Sequence, residues 1–366
     1  MRIAQVAPLY ESVPPRLYGG TERIVSYLTE ELINQGHDVT LFATGDSKTN
    51  AKLVATIPAS LRLSERCEDM LAPHFVQLEE VLEMQDQFDI IHFHTDYLNF
   101  PFSRILTTPH LTTLHGKLTI PELQLLYAKF NDQPLVSISQ SQRKPLPNAN
   151  FVATVHHGLP ENLYKPGEGE DGYFAFLGRI SPEKRCDRAI EIAIAKGIPI
   201  NIAAKIDKAD QEYFECNIKA LFDHPLVNYI GEIGEKEKGE FLGKAKALLF
   251  PIDWDEPFGM VLIEAMACGT PVIAWNNGSV PEIIDNGETG FIVNDIQDAI
   301  LAIDKLEALD RNGIRQRFIE RFTARRMTLD YLKVYAGLVE KQLDLERKNL
   351  HAVPLGSSEK LIKAIS

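Results

Sequence analysis

The chain has 366 residues, 45% of them hydrophobic and 24% charged, which is enough for two domains of ordinary size. Its 51 acidic and 38 basic residues give a net charge of −13, which argues against nucleic acid as a partner. No apolar run is long enough to cross a bilayer, and MRIAQVAPLY does not have the pattern of a signal peptide. The four cysteines are far apart and form no CxxC pair, so we expect reduced thiols in a cytoplasmic protein.

The N-terminal segment predicts a strand, a glycine loop, a helix and a second strand. Residues 2–7 are apolar and strand-like, and a proline-containing loop leads from them to Gly19 and Gly20. The following helix has an apolar face up to Gly36, after which DVTLFAT has the pattern of a strand. Adjacent glycines let a backbone approach an anion closely, but this loop is neither GxGxxG nor a Walker loop. A flexible turn is therefore as good an interpretation as a phosphate loop.

Short apolar strands with polar ends continue through the first 160 residues. DIIHFH ends at His94, LTTLHG at His115 and Gly116, and VATVHHG at His157 and Gly158. Because ligands bind where the strands of open α/β sheets end, we expect this half to line a polar cleft. The H-x-H-x-D spacing of residues 92–96 also permits a metal site, which would indicate a hydrolase of a different reaction class. We favour structural or acceptor-contacting roles for these side chains.

Residues 160–171 have the composition of a linker, so a second domain is expected to begin there. Its predicted strands end at Arg179, at Lys205, at the turn 231–233 and at Glu256, and a helix with Ser181 as its N-cap follows the first of them. Lys184 lies in that predicted helix. Two or three cations at neighbouring strand ends predict an anion site.

The stretch 251–274, PIDWDEPFGMVLIEAMACGTPVIA, places Glu256 and Glu264 eight residues apart in an otherwise apolar, helix-forming run. Glu264 is the only charge of a helix that should be buried on every side, and a buried charge is costly without a partner. Backbone N–H groups at the start of this helix are expected to hold an anion. Asp253 and Asp255 spell D-x-D, a metal signature of another architecture, but a polar loop at a strand end is the simpler interpretation.

The C-terminal part is predicted to be helical, with an apolar side that includes Tyr331, Tyr335 and Leu338. We expect a first domain at 1–160, completed by a returning C-terminal helix at about 345–366, and a second domain at 170–340.

Several motifs resemble one known family. They are GGTER with GHDVTLFAT behind it, TLHG at 113–116, GRISPEKRCDRAI at 178–190, and EPFGMVLIEAMACGTPVIA followed by GSVPEIIDNGETGFIV. Over nearly its whole length the chain resembles the retaining nucleotide-sugar glycosyltransferases of family 4. The resemblance implies the GT-B fold, in which two Rossmann-like, doubly wound α/β domains face each other across a cleft.

The resemblance also implies roles for particular residues. Arg179 and Lys184 match the cations that hold the donor's diphosphate, and the loop at Gly19 and Gly20 closes over it. Glu264 is implied to hold the ribose. The other implied assignments are Glu256 facing the donor sugar, His115 lining the reaction centre, Phe258, Gly259, Met260 and Val261 supplying backbone N–H groups, and the base lying near Lys205 and Ile233.

We therefore predict a retaining glycosyltransferase that moves a hexose from a nucleotide diphosphate sugar to an acceptor hydroxyl without a metal or other cofactor. UDP-glucose is the favoured donor by its frequency in the family, and GDP-mannose is the alternative. Tyr10, Asp96 and Lys117 are candidate acceptor contacts. The acidic first half favours a sugar or a small organic acceptor, although a peripheral membrane contact stays compatible with the sequence. A nucleotide-sugar binding protein without turnover is the alternative from another class.

Overall fold

The computed structural model describes residues 1–16, 19–62, 64 and 67–352, without the side chains of 349–352. Two parallel sheets organise the chain. The first sheet has the order β3-β2-β1-β4-β5-β6-β7, and its strands are β1 (Arg2–Val6), β2 (Asp38–Ala43), β3 (Lys52–Ala55), β4 (Ile90–Phe93), β5 (His110–Thr113), β6 (Leu135–Ser137) and β7 (Phe151–Thr154). The second has the order β10-β9-β8-β11-β12-β13, and its strands are β8 (Phe174–Arg179), β9 (Ile200–Lys205), β10 (Val227–Gly231), β11 (Ala247–Phe250), β12 (Val272–Trp275) and β13 (Gly290–Val293).

Helices follow the strands in the alternation that parallel pairing requires. In the first half they are α1 (Gly20–Asn34), α2 (Ala72–Met84), α3 (Phe100–Ser103), α4 (Pro121–Lys129) and α5 (Gln140–Arg143). In the second half they are α6 (Cys186–Lys196), α7 (Gln211–Tyr213), α8 (Glu235–Gly243), α9 (Met260–Ala267), α10 (Val280–Ile283), α11 (Ile296–Ile303), α12 (Arg311–Arg321) and α13 (Ala324–Ala352). Most of the strands are apolar and buried, as expected for sheets covered on both faces.

Each sheet reverses its strand order once, between β1 and β4 in the first and between β8 and β11 in the second. In doubly wound folds the crevice beyond the strand ends at this reversal is where ligands bind. The loops after these four strands therefore mark the expected position of a site, and the predicted arrangement of two doubly wound α/β units is confirmed.

The helix predicted to begin at Ser181 begins at Cys186 instead. Residues 181–185 form a turn in which the Lys184 N–H donates to the Ser181 carbonyl, and Arg185 adopts the left-handed conformation with φ of 52°. A left-handed residue cannot continue a right-handed helix, so the helix begins after it. The consequence is that Lys184 projects from a loop at the strand end and not from a helix face.

Helix α13 packs on the first sheet although it follows the second half in sequence. Its side chains Met327, Tyr331 and Tyr335 are buried in the core that includes Leu28 of α1 and Ile90 of β4. The return to the first half therefore begins at Ala324, earlier than the predicted 345–366, because the apolar side noted in the sequence is the surface that packs there. Residues 345–348 are exposed, and 353–366 lie outside the described residues.

In the described part of the chain, no helix combines the length and the apolar character needed to span a membrane.

Candidate active site

A cavity of about 680 Å³ lies where the strand ends of the two sheets meet. Every candidate donor, acceptor or reaction-centre residue named from the sequence lines it. They are Tyr10, Gly19, Gly20, Asp96, His115 and Lys117 from the first half, and Arg179, Lys184, Lys205, Ile233, Glu256, Phe258, Gly259, Met260, Val261 and Glu264 from the second. The cavity thus brings the predicted donor and acceptor residues together, whereas their individual roles stay predictions.

Three cations of the cavity, Arg179, Lys184 and Lys205, are paired with carboxylates. Arg179, at the end of β8, pairs with Glu183 and lies 3.2 Å from Asp210. Lys205, at the end of β9, lies 2.8 Å from Asp207. These side chains are two-thirds buried, so the pairs restrict where each positive charge can lie. An anion that enters the cavity must exchange places with the carboxylates.

Lys184 is held from two sides. Its Nζ pairs with Glu256 and lies 5.0 Å from the centre of the Trp254 ring. The loop that carries Glu256 is fixed in turn by Gly278, which has φ of 60° and would place a Cβ 2.3 Å from the Glu256 nitrogen. Only glycine fits so close to another backbone at this φ. The positions of Lys184 and Glu256 therefore depend on each other and on the 276–279 turn.

Helix α9 begins at the cavity wall, after Gly259 in the left-handed conformation. The first N–H groups of a helix lack intrahelical acceptors and attract negative charge, so this end suits a phosphate. Glu264 lies one turn further along and is only 3% exposed. Its partner is Lys238 of α8, whose Nζ is 2.8 Å from a Glu264 carboxylate oxygen. The sequence indicated that Glu264 needed a partner but not which one.

The wall contributed by α1 contains two charged residues that the sequence analysis did not use. Glu22 and Arg23 follow the two glycines after one intervening residue, Thr21, and are both buried. Burial raises the pKa of Glu22 to about 7. Arg23 pairs with Glu235 of α8, which joins the two halves of the protein across the cavity. Both lie in the GGTER motif, so their place beside the glycine loop was a signal available in the sequence.

The histidines at the strand ends form a buried cluster. His115 Nε2 is 2.9 Å from His94 Nδ1, and its ring stacks on that of His157 with centroids 5.2 Å apart. Burial lowers the pKa of His115 to about 3 and the pKa values of His94 and His157 well below their usual range. These rings are therefore neutral at physiological pH. They serve as hydrogen-bonding groups and not as cations.

Asp96, two residues after His94, has a left-handed backbone with φ of 51° and lines the cavity. Desolvation by the surrounding protein raises the pKa of Asp96 to about 6, whereas its exposure to solvent and a hydrogen bond from the backbone N–H of His115 act in the opposite direction. The carboxylate is thus partly protonated near pH 6.

The two metal patterns weighed from the sequence have other contacts in the structure. His92 is bonded through both ring nitrogens, to Thr113 and to Tyr335. Asp253 pairs with Arg185 at 3.0 Å and with Arg188 at 3.2 Å. Among the residues that the structure describes, no three His, Cys, Asp or Glu side chains are grouped so as to hold a metal ion. The first sheet is also open, with β3 and β7 at its edges, whereas the barrel of the hydrolase alternative is closed.

Comparisons with known proteins agree with this architecture. Residues 162–325 match the family described as "Glycosyl transferases group 1", and residues 18–133 match "Glycosyltransferase Family 4". The fold, with a cavity between two doubly wound sheets, is of the GT-B class, and the two family matches identify the chain as a glycosyltransferase. The two family matches together span more than two thirds of the chain, and the chain belongs to glycosyltransferase family 4.

Three similar proteins illustrate the relationship. An uncharacterized glycosyltransferase of Methanocaldococcus jannaschii is 28% identical over 68% of this chain and 76% of its own. The phosphatidyl-myo-inositol mannosyltransferase of Mycobacterium tuberculosis is 23% identical over 87% of this chain and 90% of its own. Anabaena HepE in complex with UDP-glucose has a TM-score of 0.71 at 16% identity, covering 92% of this chain and all of that one.

Proposed function

We propose that the protein is a retaining hexosyltransferase that moves glucose from UDP-glucose to an acceptor hydroxyl without a metal ion. The observation that carries the proposal is the convergence of three cations and the start of α9 on one cavity that also contains Glu256, Glu264 and His115. No single one of these features would specify a donor site. Together they match the parts of a sugar nucleotide, which are phosphates, a ribose and a hexose.

The leaving group determines what the cations do. When the bond between the sugar C1 and the diphosphate oxygen breaks, negative charge develops on the diphosphate. Arg179, Lys184 and the N–H groups at the start of α9 stabilise that charge because they all line the cavity that would hold the diphosphate. This is the chemistry that a divalent cation supplies in other transferases, and here the side chains supply it.

Two carboxylates then divide the remaining contacts. Glu264, with its charge balanced by Lys238, is a fixed acceptor for the ribose hydroxyls. When the donor binds, Lys184 leaves its ion pair with Glu256 and pairs with the diphosphate. Glu256 then accepts hydrogen bonds from hydroxyls of the hexose. The acceptor oxygen bonds to C1 on the face that the diphosphate leaves, and its proton passes to the departing phosphate oxygen. This step retains the configuration at C1 and needs no nucleophile from the protein.

The choice of donor has separate support. The similarity to HepE, which was determined with UDP-glucose, favours a uridine nucleotide and glucose. The similarity to the mycobacterial mannosyltransferase favours mannose as the alternative sugar, with GDP-mannose as its donor. The cavity at Lys205 and Ile233 is where the base would discriminate between them.

A thermal unfolding screen with UDP, GDP and ADP tests the donor. A nucleotide at 100 times its dissociation constant stabilises the folded state by about 2.7 kcal/mol. We expect the largest rise in melting temperature with UDP. A larger rise with GDP would favour the mannose alternative over glucose. No rise with any nucleotide would overturn the proposed function.

Transfer assays test the site. Arg179→Ala and Glu264→Gln should each lower transfer by roughly 10-fold to 1000-fold, since each removes a charged contact to the donor. Arg188→Ala is the matched control, because Arg188 also pairs with an aspartate but does not line the cavity. Near-normal transfer by both site variants would contradict the assignment. A loss of transfer after chelation would contradict the metal-independent step.

A further inference from the structure

A chain of hydrogen bonds connects His115, at the cavity, to the buried face of α13. His115 Nε2 lies 2.9 Å from His94 Nδ1, and His94 Nε2 lies 2.8 Å from the side-chain oxygen of Gln5. The Gln5 amide nitrogen lies 3.1 Å from the hydroxyl of Tyr335. Gln5, His94 and Tyr335 are at most 2% exposed, so water does not compete for these bonds.

The donor and the acceptor of each hydrogen bond in this series follow from the bond to Gln5, where the acceptor is known. An amide oxygen only accepts, so His94 Nε2 carries the proton that is donated to Gln5. Because His94 is neutral, its Nδ1 has a lone pair and accepts a hydrogen bond from the N–H at His115 Nε2. His115 is neutral as well, and its Nδ1 is therefore unprotonated.

That last nitrogen is one of several buried side-chain atoms without a hydrogen-bond partner in the described residues. His115 Nδ1 is shielded from solvent and has no hydrogen-bond partner in the described part of the chain. An unpaired buried acceptor is unfavourable because it has lost its hydrogen bond to water without gaining another. His115 lines the cavity, so a ligand hydroxyl can supply the missing donor.

We propose that Gln5 and Tyr335 are positioning residues that hold His115 in the tautomer with its proton on Nε2, so that Nδ1 accepts a hydrogen bond from a hydroxyl of the bound sugar or acceptor. The identity of that hydroxyl group rests on the proposed function, whereas the tautomer does not. Tyr335 orients the Gln5 amide. Without its hydroxyl the amide is free to rotate and to present nitrogen instead of oxygen to His94, and His94 then no longer specifies one tautomer of His115.

The second branch of the network provides a control. The hydroxyl of Tyr335 also lies 2.7 Å from His92 Nδ1, and His92 continues through Thr113 to the hydroxyl of Tyr331. Tyr331 lies one turn before Tyr335 on α13, is equally buried and also loses a hydrogen bond when it is replaced by phenylalanine. Tyr331 lies at the end of this branch and does not bond to Gln5, so its replacement leaves the bond between Tyr335 and Gln5 in place.

The test is NMR of histidine ring nitrogens in the ligand-free protein, with the His115 signals identified by their loss in His115→Asn. We expect one tautomer of His115, protonated at Nε2, in the native protein and in Tyr331→Phe. We expect a mixture of tautomers in Tyr335→Phe and in Gln5→Met. A native His115 protonated at Nδ1, or a single unchanged tautomer in both variants, would overturn the proposal.

Transfer kinetics supply the second measurement. Tyr335→Phe should lower kcat by about 10-fold or more with a smaller change in the donor KM, because misplacing a reacting contact costs more in the transition state than in binding. Tyr331→Phe should retain native kcat. Equal losses in the two variants would show that the tyrosines act only through the packing of α13. If the protein transfers no sugar, the proposed function fails while the NMR result still decides the tautomer.

Discussion

Glu22 offers a quantitative test of the charges around the glycine loop. The residue is 4% exposed, and burial raises its pKa from 4.5 to about 7 against the opposing effects of nearby backbone N–H groups and Arg62. In the unfolded chain the carboxyl loses its proton near pH 4.5, and in the folded protein near pH 7. Between these values the folded state binds more protons, so the free energy of unfolding falls as the pH rises through this window.

The magnitude follows from the two pKa values. At about 1.4 kcal/mol for each pKa unit, the ionised carboxylate costs the folded state about 3 kcal/mol at pH 8 and less than about 1 kcal/mol at pH 5. Glu22→Gln cannot ionise and escapes this cost. The variant should therefore gain stability relative to the native protein by about 2 to 3 kcal/mol between pH 5 and pH 8.

Urea unfolding at the two pH values measures this difference. A constant effect of the amide on packing cancels when the two pH values are compared, so only the ionisation is tested. Glu31→Gln on the same helix is the control, because Glu31 is only half-buried and bonds to the side chain of Gln35. An equal stability difference at pH 5 and pH 8 would refute the argument.

Three further changes test other parts of the site. Because the pKa of Asp96 is about 6 and its ionised form accepts hydrogen bonds, kcat/KM should rise with pH through about 6, and Asp96→Asn should abolish that step. Gly278→Ala places a methyl group 2.3 Å from the Glu256 nitrogen and should lower both the melting temperature and transfer, the latter by about 10-fold or more. Lys238→Met leaves Glu264 without its cation, so it should lower the free energy of unfolding, measured with urea, by about 3 kcal/mol. It should also weaken nucleotide binding, measured by calorimetric titration.

Each of these has an outcome that would contradict it. The pH step would have another origin if Asp96→Asn retained it. Gly337→Ala, at an exposed helical glycine with no neighbour within 4 Å of the added Cβ, is the control for Gly278→Ala and should leave transfer intact. If Lys238→Met left the nucleotide affinity unchanged, the ion pair between Lys238 and Glu264 would have no role in donor binding.

The strand-end residues were predictable because parallel strands gather their carboxyl ends at one edge of a sheet. Arg179, Lys205 and His115 each follow an apolar strand in the sequence, and all three line the cavity. That a buried Glu264 needs a partner was also inferable from the cost of an unpaired charge. These inferences need only local periodicity and one general rule about sheets.

Contacts between distant elements were not predictable in the same way. Lys238 reaches Glu264, and Arg23 reaches Glu235, only because helices that carry no shared pattern lie side by side. The start of α6 was missed because a left-handed Arg185 is not apparent in a sequence that otherwise favours a helix from Ser181. The bond between Gln5 and Tyr335 joins residues 330 positions apart, and it depends on where α13 crosses the first sheet.

The carboxylates beside Arg179, Lys184 and Lys205 have a consequence for turnover. If cations in a donor cavity had no internal partners, they would bind a nucleoside diphosphate product as strongly as the charge of its phosphates allows, and product release would limit the rate. In the proposed reaction, a carboxylate that lies beside each cation in the ligand-free protein takes the place of the departing phosphate. The binding energy of the diphosphate is thereby reduced to the difference between two sets of ion pairs, which favours rapid exchange of product for a new donor.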